Sequence, residues 1–109
     1  MGRRTHPGGG GEDGAEMAVA VVQASLLVPG CRSLKDKRAV VKGLVERARN
    51  RFNASVAEVG AQDLLQRAVL GASLVANDRR FLAAEAEALL GYLAGCPDVQ
   101  VIDRQVEIL

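Results

Sequence analysis

Lys35, Arg38, Lys42 and Arg49 recur at helical spacing, which sets them in one stripe about 20 Å long at about 1.5 Å per residue. Cations in such a row attract phosphates or carboxylates, and a row of this length could track a phosphate backbone. The same spacing also describes a solvated helix face on which Lys42 and Glu46 form an i,i+4 pair. From Gly30 to Phe52 there are eight Lys or Arg (Arg32, Lys35, Lys37, Arg38, Lys42, Arg47, Arg49, Arg51) against two acids (Asp36, Glu46), in a chain whose formal net charge is only +1. This asymmetry points to a localised anion-facing surface rather than general stickiness toward polyanions.

Lys37 differs from its neighbours. It falls near the apolar side of the wheel, between Leu34, Val41 and Leu44, where a lysine must snorkel or meet a partner such as Asp63. Gln62, Asp63, Gln66 and Arg67 supply polar groups that suit either ligand binding or closure of their own turn. Cys31 and Cys96 flank turns and are expected to be free thiols in a reducing cytosol. The only histidine, His6, lies in a glycine-rich tail. The remaining chain therefore has no imidazole for zinc or triad chemistry, and no cofactor or metal is expected.

The elements that must position these residues follow from periodicity. Ala18 to Val28 alternates, with Ala20, Val22, Ala24, Leu26 and Val28 on one face, as in a strand covered mainly on one side. Pro29-Gly30 ends it. Ser33 is a good N-cap, with Asp36 three residues on, and Leu34, Val41, Leu44, Val45, Ala48 and Phe52 share one face of a helix from about Leu34 to Arg51. Asn53–Val59 reads as a short strand and Gln66–Ala76 as a third. Asn77-Asp78 caps a second helix striped by Leu82, Ala86, Leu89, Leu90 and Leu93, and Val99–Leu109 is the last strand.

This order predicts an α+β, ferredoxin-like β-α-β-β-α-β domain over residues 17–109: a four-stranded antiparallel sheet with both helices on one face. In that arrangement the first strand–helix turn, the second–third strand turn and the second helix–fourth strand turn share one end. Phosphate-attracting groups and the helix N-terminus therefore gather there. The uncovered sheet face is expected to carry Val19, Val21, Val69, Val75, Val99 and Val101, each contributing about 1.5 kcal/mol or more if fully buried against a partner.

Residues 1–16 offer nothing a core could use and are expected to be a disordered extension. Met17 directly precedes the first strand, so a native start there and an upstream extension both fit the composition. With no apolar run near the about 20 residues of a membrane span, a cytoplasmic protein with no membrane role is expected. With no Trp, one Tyr and two Phe, there is almost no aromatic platform on which unpaired bases could stack.

The segments Ser33–Arg38, Arg49–Asn53, Ser55–Val59, Gln62-Asp63 with Gln66-Arg67, Asn77-Asp78 and Glu107-Ile108-Leu109 together resemble the YlxP-like family, small bacterial proteins classed as a domain of unknown function. The resemblance covers Met17 to Leu109. It implies a ferredoxin-like fold and, because genes of that family commonly accompany those of translation initiation and ribosome maturation factors, a ribosome- or RNA-related role. The chain departs from the family pattern at Ala61, where a bulky polar residue is common, and at Leu65, where an aromatic is frequent.

The expected function is non-enzymatic binding of structured RNA or a ribosomal particle. The candidate RNA- or anion-binding set is Arg32, Ser33, Lys35, Lys37, Arg38, Lys42, Arg49, Gln62, Asp63, Gln66 and Arg67; no catalytic residue is expected. A homo-oligomeric interaction module using the open sheet face, without a nucleic-acid role, is the alternative. Acylphosphatases share the fold and use the loop after the first strand, but their glycine-rich signature is absent here, and the domain lacks histidine and paired carboxylates.

Overall fold

The computed structural model describes residues 16–109; the tail expected to be disordered, with His6, falls outside them except for Glu16. The elements are β1 (Ala18–Leu27), α1 (Leu34–Arg51), β2 (Ala54–Gly60), β3 (Arg67–Ala76), α2 (Arg79–Ala94) and β4 (Gln100–Ile108). All pairings are antiparallel in the order β2-β3-β1-β4. This is the ferredoxin-like arrangement, and each element lies within a residue or two of its expected place.

Alternation in β1 puts Ala18, Ala20, Val22, Ala24 and Leu26 under the helices, all but excluded from water. The alanines keep that face low, so the helices approach closely and fill the layer with Val41, Leu44 and Ala48 from α1 and Leu82, Ala86, Leu89, Leu90 and Leu93 from α2. Ser33 caps α1 by accepting from the Asp36 N–H at 3.0 Å, and Asp78 caps α2 by accepting from the N–H groups of Arg80 and Phe81 at 2.8 and 3.1 Å. Arg104 on β4 pairs with Glu87 on α2, and the guanidinium holds the Glu87 carboxyl below the usual carboxylate range.

The uncovered face differs from expectation on β4. A register shift between Ser25 and Leu26 opposes Asp103 to Ser25 and Val101 to Leu26, leaving Ile102 as the extra residue. A bulge reverses the alternation that follows it. Val101 therefore turns toward the helices, Val99 is buried in the core, and Ile102 is exposed in their place. Val19, Val21, Val69 and Val75 lie on the uncovered face as expected, since they occupy the register positions opposite one another and opposite Ser25 and Ser73.

A second shift, between Glu58 and Gly60, precedes Ala61, which holds a left-handed φ of 58°. The Ala61 carbonyl accepts from Lys37 Nζ at 2.6 Å and from the Leu64 N–H at 3.0 Å. These bonds over-determine a conformation that an alanine adopts at a cost. Ala61→Gly should raise stability by about 0.5–1 kcal/mol in urea denaturation, because glycine relieves the strain while keeping both bonds.

Candidate functional site

The connections expected at one end meet there. The Val28 N–H donates to the Gln66 carbonyl at 2.9 Å. The Gln66 side-chain amide donates to the carbonyls of Pro29 and Cys31 at 3.3 and 3.2 Å. Gln66 is thus a brace between the β1–α1 turn and the start of β3.

Lys37 is the second brace. Its side chain has no exposure, and Nζ lies 2.6 Å from the Ala61 carbonyl, 3.2 Å from that of Gln62 and 3.1 Å from Glu58 Oε2. Its carboxylate partner is Glu58 rather than the expected Asp63. Glu58 is opposite Leu70, on the inward face of β2, directly beneath α1. Asp63 is exposed in the turn beyond. With all three oxygens internal, the ammonium is committed to fixing the β2–β3 turn against α1 and is not offered to solvent. That fixed turn leaves Gln62 and Asp63 exposed beside the start of α1.

Arg49 is partly committed too. Its Nε and Nη2 donate to the Val56 carbonyl at 3.1 and 2.8 Å. Val56 belongs to β2, which has β3 on one side only. The guanidinium therefore caps a carbonyl on an open sheet edge, one way such an edge is protected from pairing with another chain. Arg51 lies over the Tyr92 ring, 5.2 Å from its centroid, and Phe52 meets the same ring edge-on at 5.8 Å. Arg51 and Phe52 thus cover part of the Tyr92 ring, which also lines an open cleft of about 470 Å³ with Arg47 and Pro97, away from Lys35, Arg38 and Lys42.

The cations of the candidate set left to solvent are Arg32 in the turn and Lys35, Arg38 and Lys42 along α1, and Arg47, elsewhere on α1, is exposed as well. Among the described residues the ion pairs are Lys37–Glu58 and Arg104–Glu87. Lys42 and Glu46 do not pair, and Lys42 remains free. Arg38, Lys42, Glu46 and Arg49 line a groove of about 300 Å³ between α1 and β2, floored by Ala57 and Glu58. Arg67 stands apart from this group. It pairs with Leu27, on the face of the sheet away from the helices.

A second cleft, of about 280 Å³, lies between the β1–α1 turn and Pro97, with Asp36 and Asp98 in its wall. Two carboxylates repel an anion, so the positive surface is the outer side of α1 and not this cleft. No group of three or more His, Cys, Asp or Glu that could hold a metal ion occurs among the described residues.

Cys31, in the wall of that cleft, is buried and free. Burial pushes its thiol pKa up, Asp36 adds to the rise, and Lys37 opposes it. The thiol is therefore protonated at neutral pH and should react with a thiol reagent more slowly than half-buried Cys96. A folded-state pKa above the unfolded value of about 8.5 stabilises the fold below that pH, and this contribution is lost as pH rises through the folded value. Stability should fall in alkali more steeply for the wild type than for Cys31→Ala, as read from denaturation midpoints over pH 8–10.

Fold and surface together define a small ferredoxin-like domain with a basic first helix, in which no helix is long and apolar enough to cross a membrane. A family model described as "Protein of unknown function (DUF503)" matches residues 19–106, and the chain belongs to this YlxP-like family. It is 30% identical to the uncharacterized protein YlxP of Bacillus subtilis (strain 168) over 82 residues, spanning 75% of this chain and 89% of that relative.

Sequence reasoning missed Glu58, the edge-capping role of Arg49 and the Arg51–Tyr92 contact. The signal for Glu58 was present: it shares the strand face of Val56, so an inward carboxylate on β2 faces an inward lysine on α1.

Proposed function

We propose that the protein is a non-enzymatic cytoplasmic RNA-binding protein that engages double-helical or otherwise structured RNA of a ribosomal particle through the outer face of α1. The observation that carries this reading is the free row Arg32, Lys35, Arg38 and Lys42, standing unpaired on one face while neighbouring Lys37 and Arg49 are tied internally. Arg32 and Lys35 contact phosphates at the turn, and Arg38 and Lys42 carry the contact along the groove. Gln62 and Asp63, beside the start of α1, set the geometry there. With no aromatic within the stripe and Tyr92 partly covered by Arg51 and Phe52, recognition goes to backbone and shape rather than to unstacked bases.

The test is fluorescence anisotropy of a labelled RNA hairpin and an unstructured single strand over a salt series. About four phosphate contacts give a steep loss of affinity with salt. Preference for the hairpin supports the reading; salt-independent association, or equal affinity for the unstructured strand, contradicts it.

A further inference from the structure

The face of the sheet away from the helices is not used by the proposed RNA surface, and its rows run straight across the strands. One row is Leu109, Val19 and Val75; the next is Glu107, Val21 and Ser73; the third is Gln105, Gln23 and Gly71. Val75 and Leu109 are more than half exposed and Val21 is 42% exposed. The far end carries Arg67 on β3 and Asp103 on β4, on opposite sides of β1.

We propose that this face is the interface of a homodimer whose two-fold axis runs alongside β1, between two facing sheets. Rotation about such an axis keeps each row at its own height and exchanges left for right. β3 of one copy then faces β4 of the other, and β1 faces itself. The two rows nearest Leu109 are complementary under that operation, whereas in the row of Ser25 the Val69 of one copy faces Asp103 of the other.

Val75 meets Leu109, and Val21 meets Val21 across the axis. Gln23 meets its own counterpart, and an amide both donates and accepts, so two glutamines satisfy each other. Gln105 faces Gly71, over which the Val59 side chain lies, and Ser73 faces Glu107 as a hydroxyl donor to a carboxylate. Arg67 lies diagonal to Asp103 of the other copy, within an arginine's reach. One Asp103 oxygen accepts from the Arg104 N–H at 2.9 Å, leaving the other for this pair.

The alternative axis, across the strands, would set each strand against itself end for end, with Val75 against Arg67 and the Glu107 carboxylate against that of Asp103. The charges therefore select the orientation as well as the partner. β2 lies outside the overlap, so three facing strands about 4.8 Å apart and about 30 Å long present roughly 430 Å² in plan, less than the roughly 800 Å² per partner of a standard interface and in the range of a reversible dimer. The two basic helices then face outward on opposite sides of the dimer.

Sedimentation equilibrium of the whole 109-residue chain in the micromolar range tests this. The wild type is expected at twice the 11.5 kDa chain mass. Val21→Lys opposes two ammonium groups at the axis and should return the monomer mass, with unchanged far-UV circular dichroism because Val21 is exposed. Arg67→Asp and Asp103→Arg should each raise the dimer dissociation constant about tenfold, and the double exchange should recover it. A wild-type monomer, or a dimer indifferent to Val21→Lys, overturns the interface. A dimer lost with Val21→Lys but not recovered by the exchange overturns the axis.

Discussion

Lys37→Met should lower the unfolding free energy by about 3–5 kcal/mol, the cost expected when one partner of a buried ion pair is removed. Methionine occupies nearly the same volume as the lysine stem, so the loss is electrostatic and not a cavity effect. Without the ammonium, Glu58 Oε2 loses its counter-charge in a position where it has no hydrogen-bond partner, and the carbonyls of Ala61 and Gln62 lose their side-chain donor.

Glu58→Gln should cost less, because Nζ keeps both carbonyls. The double variant Lys37→Met/Glu58→Leu should be more stable than the sum of its single changes by about 1–3 kcal/mol, since neither charge is then left alone. Guanidinium denaturation of the four proteins measures the coupling. A Lys37→Met cost within about 0.5 kcal/mol, the range of an ordinary surface change, would show that the ammonium does not hold the turn.

Arg38→Glu/Lys42→Glu should weaken RNA binding by more than about tenfold and reduce the salt slope by about two, one for each phosphate contact removed. Both side chains are exposed and neither is paired within the fold. Stability should therefore stay within about 0.5 kcal/mol of the wild type. That combination separates this pair from Lys37, whose loss acts on folding. Lys42 matters because it does not pair with Glu46, so its charge is available to a ligand. An unchanged salt slope in the double variant would exclude the groove between α1 and β2 as the path of the phosphates.

The positions of the elements were legible because their signals are local: alternation in β1, the Ser33 and Asp78 caps, and the leucine stripe of α2. The side of β4 was not, because a bulged residue leaves no mark in a sequence that alternates plausibly in either register. Val101 thus faces the helices despite its place in the pattern. That Arg67 lies on the other face of the sheet from the rest of the candidate set was not legible for a related reason. Nearness along the chain to Gln66 suggested a shared site, but successive strand residues point to opposite faces.

Lys37 was legible as an anomaly, a lysine on the apolar side of a helix, while its partner was not. Asp63 is nearer the turn, but only the pairing of β2 with β3 shows that Glu58 lies beneath α1. The free part of the basic stripe was legible by charge alone. Its shortening at Arg49 depends on a bond to the Val56 carbonyl that only folding creates.

The most direct measurement is co-sedimentation of the protein with purified ribosomal subunits over a salt series, wild type beside Lys35→Glu/Arg38→Glu. Association with one subunit at low salt, fading as salt rises and absent from the charge-reversed protein, is the predicted result. No association at low salt, or equal association of both proteins, would contradict an RNA-binding role for α1.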